Sequence, residues 1–200
     1  MRKPSAKFEN KTFTLGEKLT EEQKEYFKKY GVIQFKKFIE PETAELFISE
    51  LAKIEKTWLE EGIEKVKGTP LKFGKDHEGN PMIQRMCFTN QYSPVLAELL
   101  KDPRLQLMIE LLGPYEGRIS EDEKDGLVFN HYINEPNSKF SQMGWHTDSP
   151  RDLFLGQKIL PMLNVGIHLD NCPSSNGGLR VLPGTHTQGV LKLLFGKKQF

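Results

Sequence analysis

Gly144-Trp145-His146-Thr147-Asp148 places a histidine and a carboxylate two residues apart in an otherwise apolar approach. On extended backbone, residues i and i+2 project to the same face, so one imidazole nitrogen and one carboxylate oxygen can hold a single metal ion. A second histidine from elsewhere completes the facial arrangement of non-haem Fe(II) sites, which leaves coordination positions open. Taken alone, the pair reads more readily as an exposed histidine beside a turn-forming aspartate, since His-x-Asp is common by chance. The surrounding sequence has to decide.

Further along, Leu163-Asn164-Val165-Gly166-Ile167-His168-Leu169-Asp170 alternates apolar and polar residues. Asn176-Gly177-Gly178-Leu179-Arg180-Val181-Leu182-Pro183-Gly184-Thr185-His186 then reads as turn, short strand and turn. Upstream, Leu127-Val128-Phe129-Asn130-His131-Tyr132-Ile133-Asn134 has a period of two and ends at Pro136. Strands at this spacing predict an antiparallel jelly roll.

The first half reads differently. Thr20-x-x-Gln23 is a capping box with Leu19 as its staple, and Gly31 stops that helix. A short strand at Val32-Ile33-Gln34-Phe35 follows. Pro41 opens a second helix, whose Phe47, Leu51, Ile54 and Trp58 share one face as a core stripe. The stretch from Gly68 to Asn80 carries turn residues and reads as a loop. Ser93-Pro94 and Asp102-Pro103 each read as an N-cap followed by proline at N1.

With these elements in place, the chain resembles the phytanoyl-CoA dioxygenase family of Fe(II)/2-oxoglutarate oxygenases. Four ordered features carry the resemblance: Tyr30-Gly31-Val32-Ile33, the helix from Asp102-Pro103 to Gly113-Pro114, Trp145-His146-x-Asp148, and the Pro183-Gly184-Thr185-His186 turn. The resemblance implies a single domain over 1–200. Its fold would be α+β, mainly β with N-terminal helices: a mostly helical part (1–115), then the first half of a double-stranded β-helix, cupin-like and incomplete at the C-terminus (126–200). It also implies Fe(II) held by His146 and Asp148, with 2-oxoglutarate as co-substrate, O2 as oxidant and a small organic metabolite as substrate. An aspartate at position 148, in place of alanine or glycine, points to hydroxylation, because related halogenases leave that position empty for chloride. By the same resemblance, His131 and Arg85 fall where family members touch 2-oxoglutarate. Read without it, His131 is a core histidine and Arg85 a surface arginine.

The family's distal histidine and its basic clamp on 2-oxoglutarate lie beyond the Pro-Gly-Thr-His turn. The expectation is therefore a protein that continues past Phe200. His168 and His186 are the stand-ins for the distal ligand within the sequence, although the position of His186 is not a ligand in the family. His77, beside Asp76, reads as solvated.

Composition bounds the function classes. The chain has 200 residues, with 28 basic against 27 acidic side chains and a formal net charge of +1. Such a balance supplies no field for nucleic acid or an anionic membrane. Cys87 and Cys172 fit a reducing compartment better than a disulfide framework. No apolar run reaches the length of a membrane span, and the N-terminus lacks a signal-peptide core, so a cytoplasmic location is expected. Oligomeric state stays open. Two other classes remain: a cupin-like metal or small-molecule binding protein without oxygenase activity, and a degenerate scaffold member of the family.

Overall fold

The computed structural model describes residues 8–120, 123, 125–131, 146, 161–172 and 178–187. Its order begins β1 (Thr12–Phe13), α1 (Glu21–Tyr30), β2 (Gln34–Phe35). The two strands pair in parallel, Thr12 with Gln34 and Phe13 with Phe35, so α1 is the crossover of a minimal β-α-β unit. The capping box forms as the sequence predicts. Thr20 Oγ1 accepts from the Gln23 N–H at 3.2 Å, and Gln23 Oε1 accepts from the Thr20 N–H at 2.9 Å. Gln23 also donates to the Thr14 carbonyl, which ties the helix start to β1. Gly31 ends the helix in the left-handed region (φ 69°), its N–H donating to the Phe27 carbonyl.

Helix α2 (Pro41–Glu60) carries proline at its start and buries Phe47, Leu51, Ile54 and Trp58, the stripe read from the sequence. Behind it stands the sheet core of Val66, Leu71, Ile83, Met86, Cys87 and Phe88. Trp58 is 2% exposed and meets Tyr92 edge to face at 4.9 Å. Trp58→Ala is expected to cost about 3–5 kcal/mol, because transfer energy and an unfilled cavity add. Urea unfolding checks this; a loss below about 1 kcal/mol would mean that the stripe is not the core.

The Gly68–Asn80 segment corrects the loop reading. Lys65–Val66 (β3) and Thr69–Pro70 (β4) form a hairpin whose turn is Lys67-Gly68. Both turn residues have positive φ, 48° and 82°. That is the backbone of a two-residue turn matching strand twist. Lys72–Lys75 (β5) then pairs with Pro81–Met86 (β6), closed by Asp76. The Asp76 carboxylate accepts from the backbone N–H of Glu78 and Asn80 and from the Asn80 side chain. These bonds hold it below the usual carboxylate range. The turn residues thus marked hairpins instead of an irregular loop.

Helices α3 (Pro94–Leu99) and α4 (Pro103–Ile109) start at the expected caps, with Ser93 accepting from Leu96 N–H and Asp102 from Arg104 N–H. The Arg104 guanidinium also lowers the Asp102 pKa and lies over the Phe38 ring at 4.4 Å. Beyond α4 the chain returns to β6. Phe88 N–H donates to the Asp125 carbonyl, Thr89 N–H and Oγ1 to the Leu127 carbonyl, and Leu127 N–H to Asn90 Oδ1. These bonds steer residues 125–131 alongside the core and deliver β7 (Phe129–Asn130) to β6 in antiparallel register.

The described residues therefore mix helices with three small sheets of two, two and three strands, and contain no closed barrel. The α+β reading holds among the described residues, and much of the 126–200 span expected to be jelly roll lies outside them. Of the strand read over 127–134, Phe129–Asn130 is paired, and 132–134 lie outside the described residues. The alternating runs at 163–170 and 178–182 form no ladder among the described residues. Alternation shapes a strand's two faces, but a strand exists only when its backbone finds a partner. Leu169 nonetheless packs against the core. No helix of the described residues is long and apolar enough to cross a membrane.

Candidate active site

Directly after strand β7 comes a residue that the family resemblance sets beside the co-substrate. His131 N–H donates to the Gln84 carbonyl at 2.9 Å, which extends the β6–β7 ladder by one position. Its ring lies 6.0 Å from Phe129, two residues back on the same face. The exposed His131 side chain borders a cavity of ≈ 430 Å³ between α2 and β6, with Glu55, Leu59, Glu60, Pro81 and Met82 among its walls. Glu55 is fixed there, because Oε1 accepts from Ile83 N–H at 2.5 Å.

Arg85 is not brought to this cavity. It stands opposite Asn130 in the ladder, one position out of step with His131. Its guanidinium turns instead to Asp125, Nη2 to Oδ2 at 2.8 Å, with both side chains about one-fifth exposed. Asp125 accepts a further bond from Thr69 Oγ1 at 3.1 Å and has a φ of 79°. A carboxylate held by two partners on strained backbone is a structural clasp joining β4, β6 and the 125–131 segment. Sequence reasoning missed the clasp, since the two charges lie forty residues apart. Beside it, burial pushes the Cys87 thiol pKa up, which makes this cysteine an inert core residue.

His146 is exposed; Asp148 lies outside the described residues. Among the described residues no three His, Cys, Asp or Glu side chains converge on one point. Of the two stand-ins for a distal ligand, His168 is exposed. His186 is occupied elsewhere: Nε2 donates to the Lys28 carbonyl at 3.1 Å, at the C-terminal end of α1. Gly184 N–H donates to the Tyr30 carbonyl at 2.7 Å, so the Pro-Gly-Thr-His turn caps the helix carbonyls that Gly31 leaves open. Two motifs that stood far apart in the sequence, Tyr30-Gly31 and Pro183-Gly184-Thr185-His186, are one contact.

That contact lies inside the span matched by a known family. Residues 27–197 match the sequence model of phytanoyl-CoA dioxygenase. The chain belongs to the phytanoyl-CoA dioxygenase family. No curated protein and no solved structure matches it. Members of this family are generally oxygenases and typically use Fe(II) and 2-oxoglutarate. The matched span contains His146, Asp148, His131 and Arg85 together. An imidazole and a carboxylate are a donor set suited to Fe(II), with neutral nitrogen and hard oxygen.

Proposed function

We propose that this phytanoyl-CoA dioxygenase family protein is an Fe(II)- and 2-oxoglutarate-dependent dioxygenase that hydroxylates a small organic metabolite. The observation that carries this reading is the family match across 27–197, which encloses the Trp-His-x-Asp motif. His146 and Asp148 would hold the metal, through one imidazole nitrogen and one carboxylate oxygen. When bound, Fe(II) with 2-oxoglutarate and O2 supplies the oxidising power for an unactivated C–H bond. The chain's own part is placement. His131 offers an imidazole N–H toward the co-substrate from the rim of the α2–β6 cavity, and Met82 and Leu59 give that cavity apolar walls. We assign β7 and the chain after it to a double-stranded β-helix, with the N-terminal helices packed outside, and place the enzyme in the cytoplasm. Arg85 keeps the clasp with Asp125 and has no part in this binding scheme.

The test is turnover of 2-oxoglutarate to succinate by the protein loaded anaerobically with Fe(II) and then exposed to O2. We expect succinate release that requires both iron and O2. Iron binding without succinate formation, with or without candidate metabolites, would leave a cupin-like binding protein as the better description.

A further inference from the structure

The cavity between α2 and β6 has an anionic lining that the oxygenase chemistry leaves without a use. Glu55, Glu60 and Asp76 stand there against one lysine, Lys56. Lys56 and Glu60 come within 3.9 Å on successive turns of α2 and are mostly exposed, so they offset each other. Glu55 and Asp76 therefore set the charge of the interior.

Glu55 is held unlike a surface glutamate. It is partly buried, and its Oε1 accepts from the N–H of Ile83, a residue with 0% exposure. Ile83 adjoins a bulge in β6: Lys72 pairs with Arg85 and Phe73 with Ile83, which leaves Gln84 as the extra residue. Bulges disrupt the regular ladder and are common beside active sites. The amide fixes the carboxylate without neutralising it, and one bond fills only part of its acceptor capacity. Asp76 is held in the same manner, by the N–H groups of Glu78 and Asn80 and by the Asn80 side chain. Two carboxylates thus stand fixed by neutral amides, in a cavity where Leu59 and Met82 supply apolar surface.

We propose that this cavity selects a substrate carrying a protonated amine, its ammonium group hydrogen-bonded to Glu55 and its apolar body against Leu59 and Met82. The inference rests on the oxygenase reading above, for which it names the substrate class. At ≈ 430 Å³ the cavity lies within the range of small-molecule sites, about 300–1,000 Å³. Its charge repels a dicarboxylate, so the interior belongs to the molecule being hydroxylated and not to 2-oxoglutarate. A hydrogen bond from ammonium to carboxylate is charge-assisted and roughly twice as strong as a neutral one.

The test uses hexylammonium, hexanol and hexanoate, which share one carbon chain and differ in charge. Dissociation constants come from NMR titration of the protein loaded with Zn(II) and 2-oxoglutarate, a form that does not turn over. Hexylammonium should bind at least about tenfold more tightly than hexanol, and hexanoate more weakly than either. Added salt should narrow the gap. Glu55→Gln keeps an oxygen for the Ile83 N–H and removes the charge, so it should abolish most of the preference with little change in Tm. Asp76→Asn is the second variant, in case the glutamine packs badly, and should reduce the preference about threefold. In the Fe(II) form under O2, hexylammonium should raise succinate release and hexanoate should not. Equal affinity for the three probes, a preference unmoved in folded Glu55→Gln and Asp76→Asn proteins, or stimulation by hexanoate alone overturns the proposal and leaves the oxygenase reading intact. A preference for the cation with no succinate formed under any condition overturns the oxygenase reading, and with it the substrate role.

Discussion

Asp148→Ala is expected to abolish 2-oxoglutarate turnover, lowering succinate release by more than about a hundredfold. Even groups that only orient a metal ligand are worth 10- to 100-fold, and this substitution removes a ligand itself. The imidazole of His146, even with a second histidine beside it, lacks the anionic ligand that holds the ion in place. Metal content after dialysis should fall in parallel, which separates loss of the site from loss of some later step. Stability should change little, because the carboxylate is proposed to serve the metal and not the core. The expected signature is therefore an unchanged far-UV circular dichroism spectrum and apo-protein Tm with an inactive, metal-poor protein. Asp148→Glu keeps the charge but moves it by one methylene, and should retain some metal while losing most activity. Full succinate release by the alanine variant would remove position 148 from the metal site and, with it, the central premise of the mechanism.

The features that were legible in the sequence are those decided by neighbours. The Thr20/Gln23 box, the Gly31 stop, the Ser93 and Asp102 caps and the α2 stripe each involve residues within a few turns of one helix, and all are present. What escaped depends on partners far along the chain. Strand β1 is two residues long and carries no readable period; only its pairing with β2 across α1 defines it. Lys67-Gly68 looked like loop chemistry because a tight hairpin turn and an irregular loop use the same residues. The difference lies in whether flanking residues find each other, as Val66 and Thr69 do.

The candidate site divides along the same line. His131 was a candidate by the family resemblance, and the structure sets it at a cavity rim. Arg85 looked available for 2-oxoglutarate because nothing nearby in sequence competes for it. Asp125 does so across the fold. Glu55 passed unnoticed as one of several acids along α2, because only its bond to Ile83, 28 residues on, marks it out.

Gly31→Ala should be the most damaging single substitution at the junction between α1 and the Pro-Gly-Thr-His turn, costing about 3 kcal/mol. Two costs combine. Alanine in the left-handed region loses roughly 1–2 kcal/mol. Its Cβ would also stand 2.2 Å from His186 Nδ1, so the turn must move. Movement weakens the bonds from Gly184 to Tyr30 and from His186 to Lys28, each worth about 1 kcal/mol. The two costs can be separated. In a His186→Gly background the whole obstructing side chain is absent, its Cβ at 2.7 Å included, and Gly31→Ala should then cost only the backbone part, about 1–2 kcal/mol. Gly31→Asn is the complementary probe: asparagine tolerates the left-handed conformation but keeps the Cβ, so relief there would be small. Urea unfolding midpoints at constant m-value give all four energies, and the coupling between positions 31 and 186 should exceed about 0.5 kcal/mol, the limit for independent sites. Strict additivity would mean that the two motifs do not touch in solution. A measured coupling would instead make the Pro-Gly-Thr-His turn a structural cap that fixes the N-terminal helix to the core, and would explain why His186 is unavailable to a metal.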